Sequence, residues 1–261
     1  MHYLCKVFQQ TSKLNLIIDI GNNSTKYYIF SGNSIVLHGR RANDSLSFAK
    51  EYITQYAIDK VIISSVVETS DKELRGLDGI CPKVVYFSNS TPTPLKIEYR
   101  TPHTLGTDRI AALIGALSLS PGKNILVIDA GSAITIDFAD ASGTFKGGNI
   151  SPGIRMRLNA LHSFTSRLPM IEKEGDTPAL GYDTATAIRS GVIRGVCHEL
   201  EGYINEIRAK YPDVFVFLTG GDEKILINNI KSSIFADKFL VAKGLNVILE
   251  NIDWEKDGNK L

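Results

Sequence analysis

The chain has 261 residues and a formal net charge of +1, from 29 lysine and arginine residues against 28 aspartate and glutamate residues. A chain of this length can bury a large core without disulfides or structural metals, as one long domain or as two smaller ones. The balanced charge argues against a nucleic-acid-binding protein or a polybasic membrane-surface protein, and no apolar run approaches the roughly 20 residues of a membrane span.

The cysteines and the N-terminus indicate a cytoplasmic protein. Cys5, Cys81 and Cys197 are widely separated in sequence, and so sparse a set is typical of reduced thiols. The start of the chain has neither a long apolar segment nor a cleavage-type ending, so we expect no signal peptide. We interpret residues 1–13 as an extension ahead of the first strand.

The first half of the sequence predicts a hairpin followed by alternating helices and strands. Residues 14–30 comprise an apolar run, the turn motif Asp19-x-Gly21 and a second run rich in β-branched and aromatic residues. The later elements are predicted as a strand at 34–38, a helix at 45–56, a strand at 60–67, a short strand at 84–87 and a helix at 108–119.

The second half repeats this order. Residues 124–139 contain another apolar run, the motif Asp129-x-Gly131 and another β-rich run. The later elements are predicted as a strand near Thr144, a glycine-rich segment at 146–153, a helix at 154–163, a long helix beginning near Thr184 and a buried strand at 214–218.

The repeat predicts an α/β protein of two similar lobes, at 14–120 and 121–254, joined near Pro121-Gly122. Clefts between lobes commonly bind ligands, so we expect a ligand between the two. Chance similarity of two strand–turn–strand segments is the alternative, and the matching positions of aspartate and glycine count against it.

The turn after the first strand has the residue types of a phosphate-binding site. Gly21 lets the backbone approach a ligand closely, and the backbone and side chains of residues 22–25 can hold phosphate oxygens. Lys26 adds a positive charge, and a carboxylate such as Asp19 beside phosphates implies a divalent cation. The segment matches neither of the common glycine-rich phosphate loops, and an ordinary hairpin with a turn aspartate also fits it.

Two further glycine turns follow buried strands. Asp129-x-Gly131 could face the first turn, and Gly220-Gly221 could approach a nucleobase or a sugar. Each turn alone is a common structural feature, whereas the three together favour one nucleotide in a cleft.

The segment from Gly106 to Arg109 opens an apolar helix. Asp108 lies in the first turn, where the positive end of the helix favours an ionised carboxylate. This pattern fits a catalytic base beside an anion-binding arginine, and it also fits an ordinary helix start.

In chain order, these motifs resemble those of the type III pantothenate kinases, from about Leu16 to Asn251. The matching pieces are Asp19-x-Gly-Asn, Gly106-x-Asp-Arg, Asp129-x-Gly-Ser-Ala-x-Thr, Gly147-Gly-x-Ile-x-Pro-Gly, Gly181-x-x-Thr with Ser190-Gly191, and Thr219-Gly-Gly. The resemblance implies the fold of the acetate kinase, sugar kinase, Hsp70 and actin superfamily. That fold has two ribonuclease-H-like lobes, which are duplicated βββαβα-type units with a nucleotide cleft between them.

The resemblance also implies ATP-dependent phosphorylation of pantothenate to 4′-phosphopantothenate, the first step of coenzyme A biosynthesis, with Asp108 as the catalytic base. The implied pantothenate-binding residues are Tyr99, Gly106, Thr107, Asp108, Arg109 and Thr184. The implied ATP-binding residues are Asp19, Ile20, Gly21, Asn22, Asn23, Ser24, Thr25, Lys26 and Ser132. Mg²⁺ is expected near Asp19 and a monovalent cation, K⁺ or NH₄⁺, at Asp129. The resemblance further implies a homodimer.

The chain departs from the family pattern at three positions. Thr107 stands where the family often has alanine, and Ser132 and Ile134 replace threonines. Ser132 keeps a hydroxyl group, whereas Ile134 loses one, which puts in doubt a ligand contact there and the affinity for the cation.

Three other functions remain open. One is a kinase or ATPase of the same superfamily that acts on another small alcohol. A second is a non-catalytic regulator of the Bvg accessory factor type, and a third is a structural domain without a ligand. The presence of Asp19, Asp108, Arg109 and Asp129 disfavours a protein that has lost its activity.

Overall fold

The computed structural model describes residues 13–43, 46–67, 77 and 79–254. Cys5 and, apart from Lys13, the predicted N-terminal extension lie outside these residues. Among the described helices, none is both long enough and apolar enough to cross a membrane.

The chain divides into two compact units. The first unit contains the described residues up to Leu95, then Arg100–Gly115, then the described residues from Val241 onward. The second unit contains Lys96–Tyr99 and Ala116–Leu240. The predicted lobe boundary at 120/121 stays a prediction.

The first unit has a five-stranded sheet in the order β3-β2-β1-β4-β5. Its strands are β1 (Leu14–Ile20), β2 (Thr25–Ser31), β3 (Ser34–Arg41), β4 (Ile58–Ser65) and β5 (Val84–Tyr86). The first three strands form an antiparallel meander, and β4 and β5 continue the sheet in parallel with β1. Helix α1 (Ser47–Tyr56) packs its Phe48 and Ile53 into an apolar cluster with Leu16 and Ile18 of the central strand.

The second unit repeats this strand order and adds one short strand. Its sheet runs β11-β10-β7-β8-β9-β6. The strands are β6 (Lys96–Ile97), β7 (Ile125–Ala130), β8 (Ala133–Ala139), β9 (Thr144–Pro152), β10 (Phe215–Thr219) and β11 (Phe235–Ala236). The helices are α3 (Ile154–Ser163), α4 (Thr184–Lys210) and α5 (Glu223–Ile227). Val196 and Leu200 of α4 pack in one core with Leu126 and Ile128 of β7.

Two helices lie partly in each unit, α2 (Thr107–Leu119) and α6 (Leu240–Asn251). A buried amide network attaches α6 to the first sheet. Asn15 Nδ2 of β1 donates to Asn246 Oδ1 at 2.9 Å and to Glu250 Oε1 at 2.6 Å. Because both asparagines are buried, losing either one would leave the other with an unsatisfied polar group, and we expect the pair to fix the position of α6.

The strand order confirms the predicted fold class of two α/β units built on duplicated meanders. The predicted helix at 154–163 and the long helix from Thr184 are also confirmed. One difference concerns the glycine-rich segment at 146–153, which continues β9 as far as Pro152 rather than ending it. The backbone of this segment pairs with β8, and that pairing outweighs the low strand preference of its glycines.

Candidate active site

Four strands of the first sheet place polar side chains in one row, at the edge where β1 ends. Asp19 is the register partner of Lys26 on β2 and of Ser64 on β4, and Lys26 is the partner of Arg40 on β3. Side chains of register partners project from the same face of a sheet. The Lys26 Nζ atom lies 3.3 Å from Asp19 Oδ2, and the Asp19 side chain is nearly buried. The predicted phosphate turn therefore adjoins a row that carries two cations and one carboxylate.

The turn at residues 21–24 is held by its own backbone and by β3. Its Gly21 N–H donates to the Ser24 carbonyl oxygen at 3.1 Å. Asn43 bridges the two ends of the turn, because its Nδ2 donates to the Gly21 carbonyl at 2.6 Å and its Oδ1 accepts from Thr25 Oγ1 at 2.8 Å. Arg40 Nε donates to Ser24 Oγ at 2.5 Å. The sequence did not identify Arg40 and Ser64, which the strand register places in the row, or Asn43, which follows β3.

Ile20 is the one residue of this predicted set whose side chain faces the hydrophobic core. It is buried in the cluster between the first sheet and α1. Only its backbone can therefore contact a nucleotide.

Asp108 lies in the first turn of α2, and its carboxylate accepts a hydrogen bond from the Arg109 backbone N–H at 2.9 Å. Gly106 leaves room for the Asp108 carboxylate in this position. A Cβ atom on Gly106 would lie 2.5 Å from Asp108 Oδ1, so any larger residue would displace the carboxylate. The motif Gly106-x-Asp108 thus has a steric basis.

The pKa of Asp108 is raised above the ordinary aspartate value, and burial is the largest cause. The hydrogen bond from Arg109 N–H opposes the rise, the negative charge of Asp19 adds to it, and the positive charge of Arg109 lowers it again. The two carboxylates are therefore close enough to interact electrostatically. A carboxylate with a raised pKa is a better proton acceptor than an ordinary aspartate.

The residues that flank Asp108 belong to the body of the first unit. Thr107 Oγ1 lies 3.2 Å from Ser64 Oγ, which links the start of α2 to the polar row of the sheet. Arg109 is only 6% exposed, so a substrate could contact only a small part of it.

The second Asp-x-Gly turn is closed mainly by backbone contacts within the second unit. The Gly131 N–H donates to the Ala133 carbonyl at 2.9 Å. Gly220 has a φ of +101°, and a Cβ atom there would lie 2.3 Å from the Ala130 carbonyl oxygen and 2.5 Å from Asp129 Oδ1. Asp222 N–H donates to the same carbonyl of Ala130 at 2.9 Å. The structure therefore joins the motifs at 129–132 and 219–221 into one cluster.

A loop residue and a core residue complete this cluster. Lys173 Nζ lies 2.5 Å from Asp222 Oδ1, and the Asp222 side chain is only 9% exposed. Ile134, which replaces a family threonine, is buried in the apolar core of the second unit. The missing hydroxyl group is thus replaced by ordinary core packing.

The remaining predicted pantothenate residues lie in the second unit. The Tyr99 ring packs against that of Phe145, with 5.6 Å between the ring centroids. Thr184 is exposed at the first position of α4, directly after an Asp183 cap that forms a reciprocal capping box with Thr186. The predicted set therefore divides between the units, with residues 106–109 in the first and these two in the second.

Within the part of the chain that the structure describes, no group of three or more His, Cys, Asp or Glu residues could hold a metal ion alone. Mg²⁺ is usually held by one or two carboxylates together with substrate phosphates. The nearly buried Asp19 carboxylate beside the phosphate turn fits that second arrangement.

Solved structures with a similar overall fold include proteins of different functions. A Campylobacter jejuni protein, proposed to be a Baf family transcriptional activator, aligns with a TM-score of 0.61 at 23% identity, over 94% of this chain and 99% of that one. A proposed N-acetylmannosamine kinase from Listeria monocytogenes aligns with a TM-score of 0.53 at 12% identity, over 91% and 98%. At such identities the likeness shows the fold alone.

Sequence comparison defines the family within that fold. The model of the type III pantothenate kinases matches residues 15–206. The type III pantothenate kinase of Phocaeicola vulgatus is 47% identical over 240 residues, covering 92% of this chain and 99% of that protein. That of Porphyromonas gingivalis strain W83 is 42% identical over 244 residues, covering 90% and 98%. The chain belongs to the type III pantothenate kinase family.

Proposed function

We propose that this chain transfers the γ-phosphoryl group of ATP to the primary hydroxyl group of pantothenate, giving 4′-phosphopantothenate and ADP, the first step of coenzyme A biosynthesis. Membership of the family supports the reaction and the substrates. The observation in this chain that carries the mechanism is the placement of the Asp108 carboxylate at the start of α2, where it accepts the Arg109 N–H and is close enough to Asp19 to interact with its charge.

The phosphate groups of ATP bind at the first turn in this proposal. Backbone and side-chain donors of residues 20–25 contact the phosphate oxygens, and Lys26 contributes a charge-assisted hydrogen bond. Lys26 is suited to this role because its side chain is 43% exposed although it pairs with Asp19.

Asp19 would hold Mg²⁺ jointly with the phosphates. The bound ion supplies charge neutralisation at the phosphate oxygens, which is the main requirement of phosphoryl transfer. In the free protein, Lys26 compensates the Asp19 carboxylate, and this pairing keeps a nearly buried charge from being left alone.

Asp108 is the general base of the proposed reaction. It accepts the proton of the pantothenate hydroxyl group while that oxygen forms its bond to the γ-phosphorus. The bond from this phosphorus to the bridging oxygen breaks, and ADP leaves with the electron pair. Gly106 and the Arg109 backbone N–H hold the carboxylate in one orientation for this step.

The pantothenate and nucleotide contacts of the second unit complete the proposal. Thr184 stands at the N-terminus of a 27-residue helix, whose positive end favours the pantothenate carboxylate. Tyr99, Thr107 and Arg109 are the other pantothenate contacts. Ser132 contacts the nucleotide, and Asp129 holds K⁺ or NH₄⁺.

We also propose that the enzyme is a cytoplasmic homodimer. Membership of the family supports the dimer, and half of the large apolar side chains that are exposed among the described residues lie between residues 150 and 182 of the second unit. These side chains are Ile150, Met156, Phe164, Met170, Leu180 and Tyr182. Sedimentation should give a dimer mass, and Phe164→Asp should shift it towards the monomer.

A coupled assay of ADP release tests the reaction. ATP consumption should require pantothenate and a divalent ion, and should rise when K⁺ or NH₄⁺ replaces Na⁺. Turnover with a different small alcohol and not with pantothenate would favour the related-kinase alternative. The absence of any turnover by a folded dimer would favour the non-catalytic regulator.

A further inference from the structure

The β2–β3 hairpin carries a second cation at the phosphate turn. We propose that Arg40 binds the phosphate groups of the nucleotide together with Lys26, and that it sets a preference for nucleoside triphosphates over monophosphates. This inference rests on the proposed function in one respect, that the turn at 21–24 binds a nucleotide.

A β-bulge determines the face from which Arg40 projects. Near the hairpin turn Phe30 pairs with Ile35, but the register then shifts by one residue, so Lys26 lies opposite Arg40. With unshifted pairing, Arg40 would lie opposite Thr25 and project from the other face of the sheet. Bulges often re-aim a side chain in this way next to an active site.

The local contacts place the Arg40 guanidinium group against the turn. Its Nε atom donates to Ser24 Oγ at 2.5 Å. Among the described residues, no carboxylate lies within ion-pair distance of Arg40, whereas Lys26 already pairs with Asp19. Within that part of the chain, Arg40 thus carries the positive charge of the row that no carboxylate pairs. A guanidinium group can also give two parallel hydrogen bonds to one phosphate, which an ammonium group cannot.

The next residue along β3 provides a matched control. Arg41 projects from the opposite face, where its guanidinium carbon lies 5.1 Å from the centroid of the Phe48 ring and 6.0 Å from that of Tyr27. Its substitution removes the same charge one residue away, but on the side that packs against α1. We expect a loss of stability there and no effect on the nucleotide.

The experiment compares ATP and AMP binding by calorimetry for the full-length wild type, Arg40→Gln and Arg41→Gln. Arg40→Gln should weaken ATP binding by about ten- to hundredfold, the range for a lost hydrogen bond to a charged group. AMP binding should change by less than about threefold, because the lost contacts are to the distal phosphates. Arg41→Gln should bind both nucleotides as the wild type does, with a lower Tm.

Kinetics and a second variant complete the test. In the assay of ADP release, Arg40→Gln should raise the KM for ATP and leave the KM for pantothenate unchanged. Arg40→Lys, which keeps the charge without the paired hydrogen bonds, should give an intermediate affinity and replaces Arg40→Gln if that variant does not fold.

Two results would overturn the proposal. One is ATP affinity in Arg40→Gln equal to that of Arg41→Gln, and the other is a parallel loss of ATP and AMP binding. If the expected binding pattern appears but the wild type phosphorylates no pantothenate, the proposed function fails while the role of Arg40 stands.

Discussion

The two Asp-x-Gly turns occupy equivalent places in the two sheets but are built differently. The first turn has four residues, 21–24, between the end of β1 at Ile20 and the start of β2 at Thr25. The second has two, Gly131 and Ser132, between β7 and β8. Two cations, Lys26 and Arg40, lie beside the first turn, whereas the backbone of the Gly220 turn packs closely on the second, next to the Lys173–Asp222 ion pair. The two units therefore share a strand order but differ in the groups that surround their Asp-x-Gly turns.

This contrast suggests a division of labour between the units. The longer turn, with Lys26 and Arg40 beside it, is suited to recognising the charge of phosphate groups. The shorter turn, packed tightly against Gly220, is suited to recognising the shape of a nucleoside or the size of a cation. Substitutions that separate an effect on chemistry from an effect on packing test whether the two turns differ in this way.

The largest effect is expected for Asp108→Asn. Loss of the general base should lower kcat by about 10²- to 10⁴-fold. The Tm should stay the same or rise, because burial disfavours the charged form of Asp108 in the folded state. Stopped assays and thermal melts measure both quantities. A kcat near that of the wild type would show that Asp108 is not the general base and that the first unit does not supply this group.

A large effect on stability is expected for Gly220→Ala. Its Cβ atom would collide with the Ala130 carbonyl, and the positive φ is unfavourable for alanine. We expect a loss of about 2–6 kcal/mol, from backbone strain of about 1–3 kcal/mol and overpacking of about 1–3 kcal/mol. Gly21→Ala is the matched control, since its nearest contact would be an ordinary 3.5 Å to the Ser24 carbonyl. Urea unfolding of the two variants should differ clearly. Equal stabilities would show that the second turn is not closed by close packing.

A smaller effect on stability is expected at the two lysine–aspartate pairs, Lys26–Asp19 and Lys173–Asp222, and only the first pair should affect ATP binding. Lys173→Met should cost about 1–3 kcal/mol, because Asp222 is only 9% exposed and would keep a charge without its partner. Lys26→Met should cost a similar amount, because the Asp19 side chain is also only 9% exposed, and should in addition raise the KM for ATP. Denaturant titration and steady-state kinetics on both variants test this. Should Lys173→Met impair ATP binding at unchanged stability, the division of labour would be wrong.

The smallest effect is expected for Asp140, a carboxylate of the second unit whose pKa is lowered, whereas that of Asp108 is raised. Burial alone would raise the pKa of Asp140, but hydrogen bonds from Ser142, Thr144 and Lys146 outweigh it and lower the pKa to about 2. A lowered folded-state pKa stabilises the protein above the unfolded value, and this stability is lost as the pH falls from about 4 to about 2.

Asp140→Asn should therefore lower the Tm at neutral pH and remove this part of the acid dependence, with kcat unchanged. Melts from pH 7 to pH 2 measure the difference. A kcat defect in this variant would show that Asp140 contributes to catalysis as well as to stability.

The fold was predictable because each element has a clear local pattern. The apolar runs before Asp19 and Asp129 read as buried strands, and α4 shows apolar residues at helical spacing. The strand character of residues 146–152 was missed because it depends on pairing with β8 rather than on local preference. The chain's division at Leu95, Gly115 and Leu240 likewise depends on tertiary contacts.

The site was predictable only in part. The motifs were sufficient to identify Asp19, Lys26 and Asp108 as candidates. In the structure Asp19 forms an ion pair with Lys26 and interacts electrostatically with Asp108, which agrees with that expectation. Arg40 was not predictable, because counting from the hairpin turn pairs it with Thr25 and only the bulge brings it opposite Lys26. A shift of one residue in register exchanges the two faces of a strand.

³¹P NMR of the wild type and Asp108→Asn, incubated with ATP, Mg²⁺ and pantothenate, tests the proposed reaction and the role of Asp108 together. We expect the wild type to convert the γ-phosphate resonance into that of a phosphomonoester on pantothenate, with equal formation of ADP. Asp108→Asn, with a Tm no lower than that of the wild type, should do so about 10²- to 10⁴-fold more slowly. Formation of inorganic phosphate without the ester, or equal rates for the two proteins, would contradict the account.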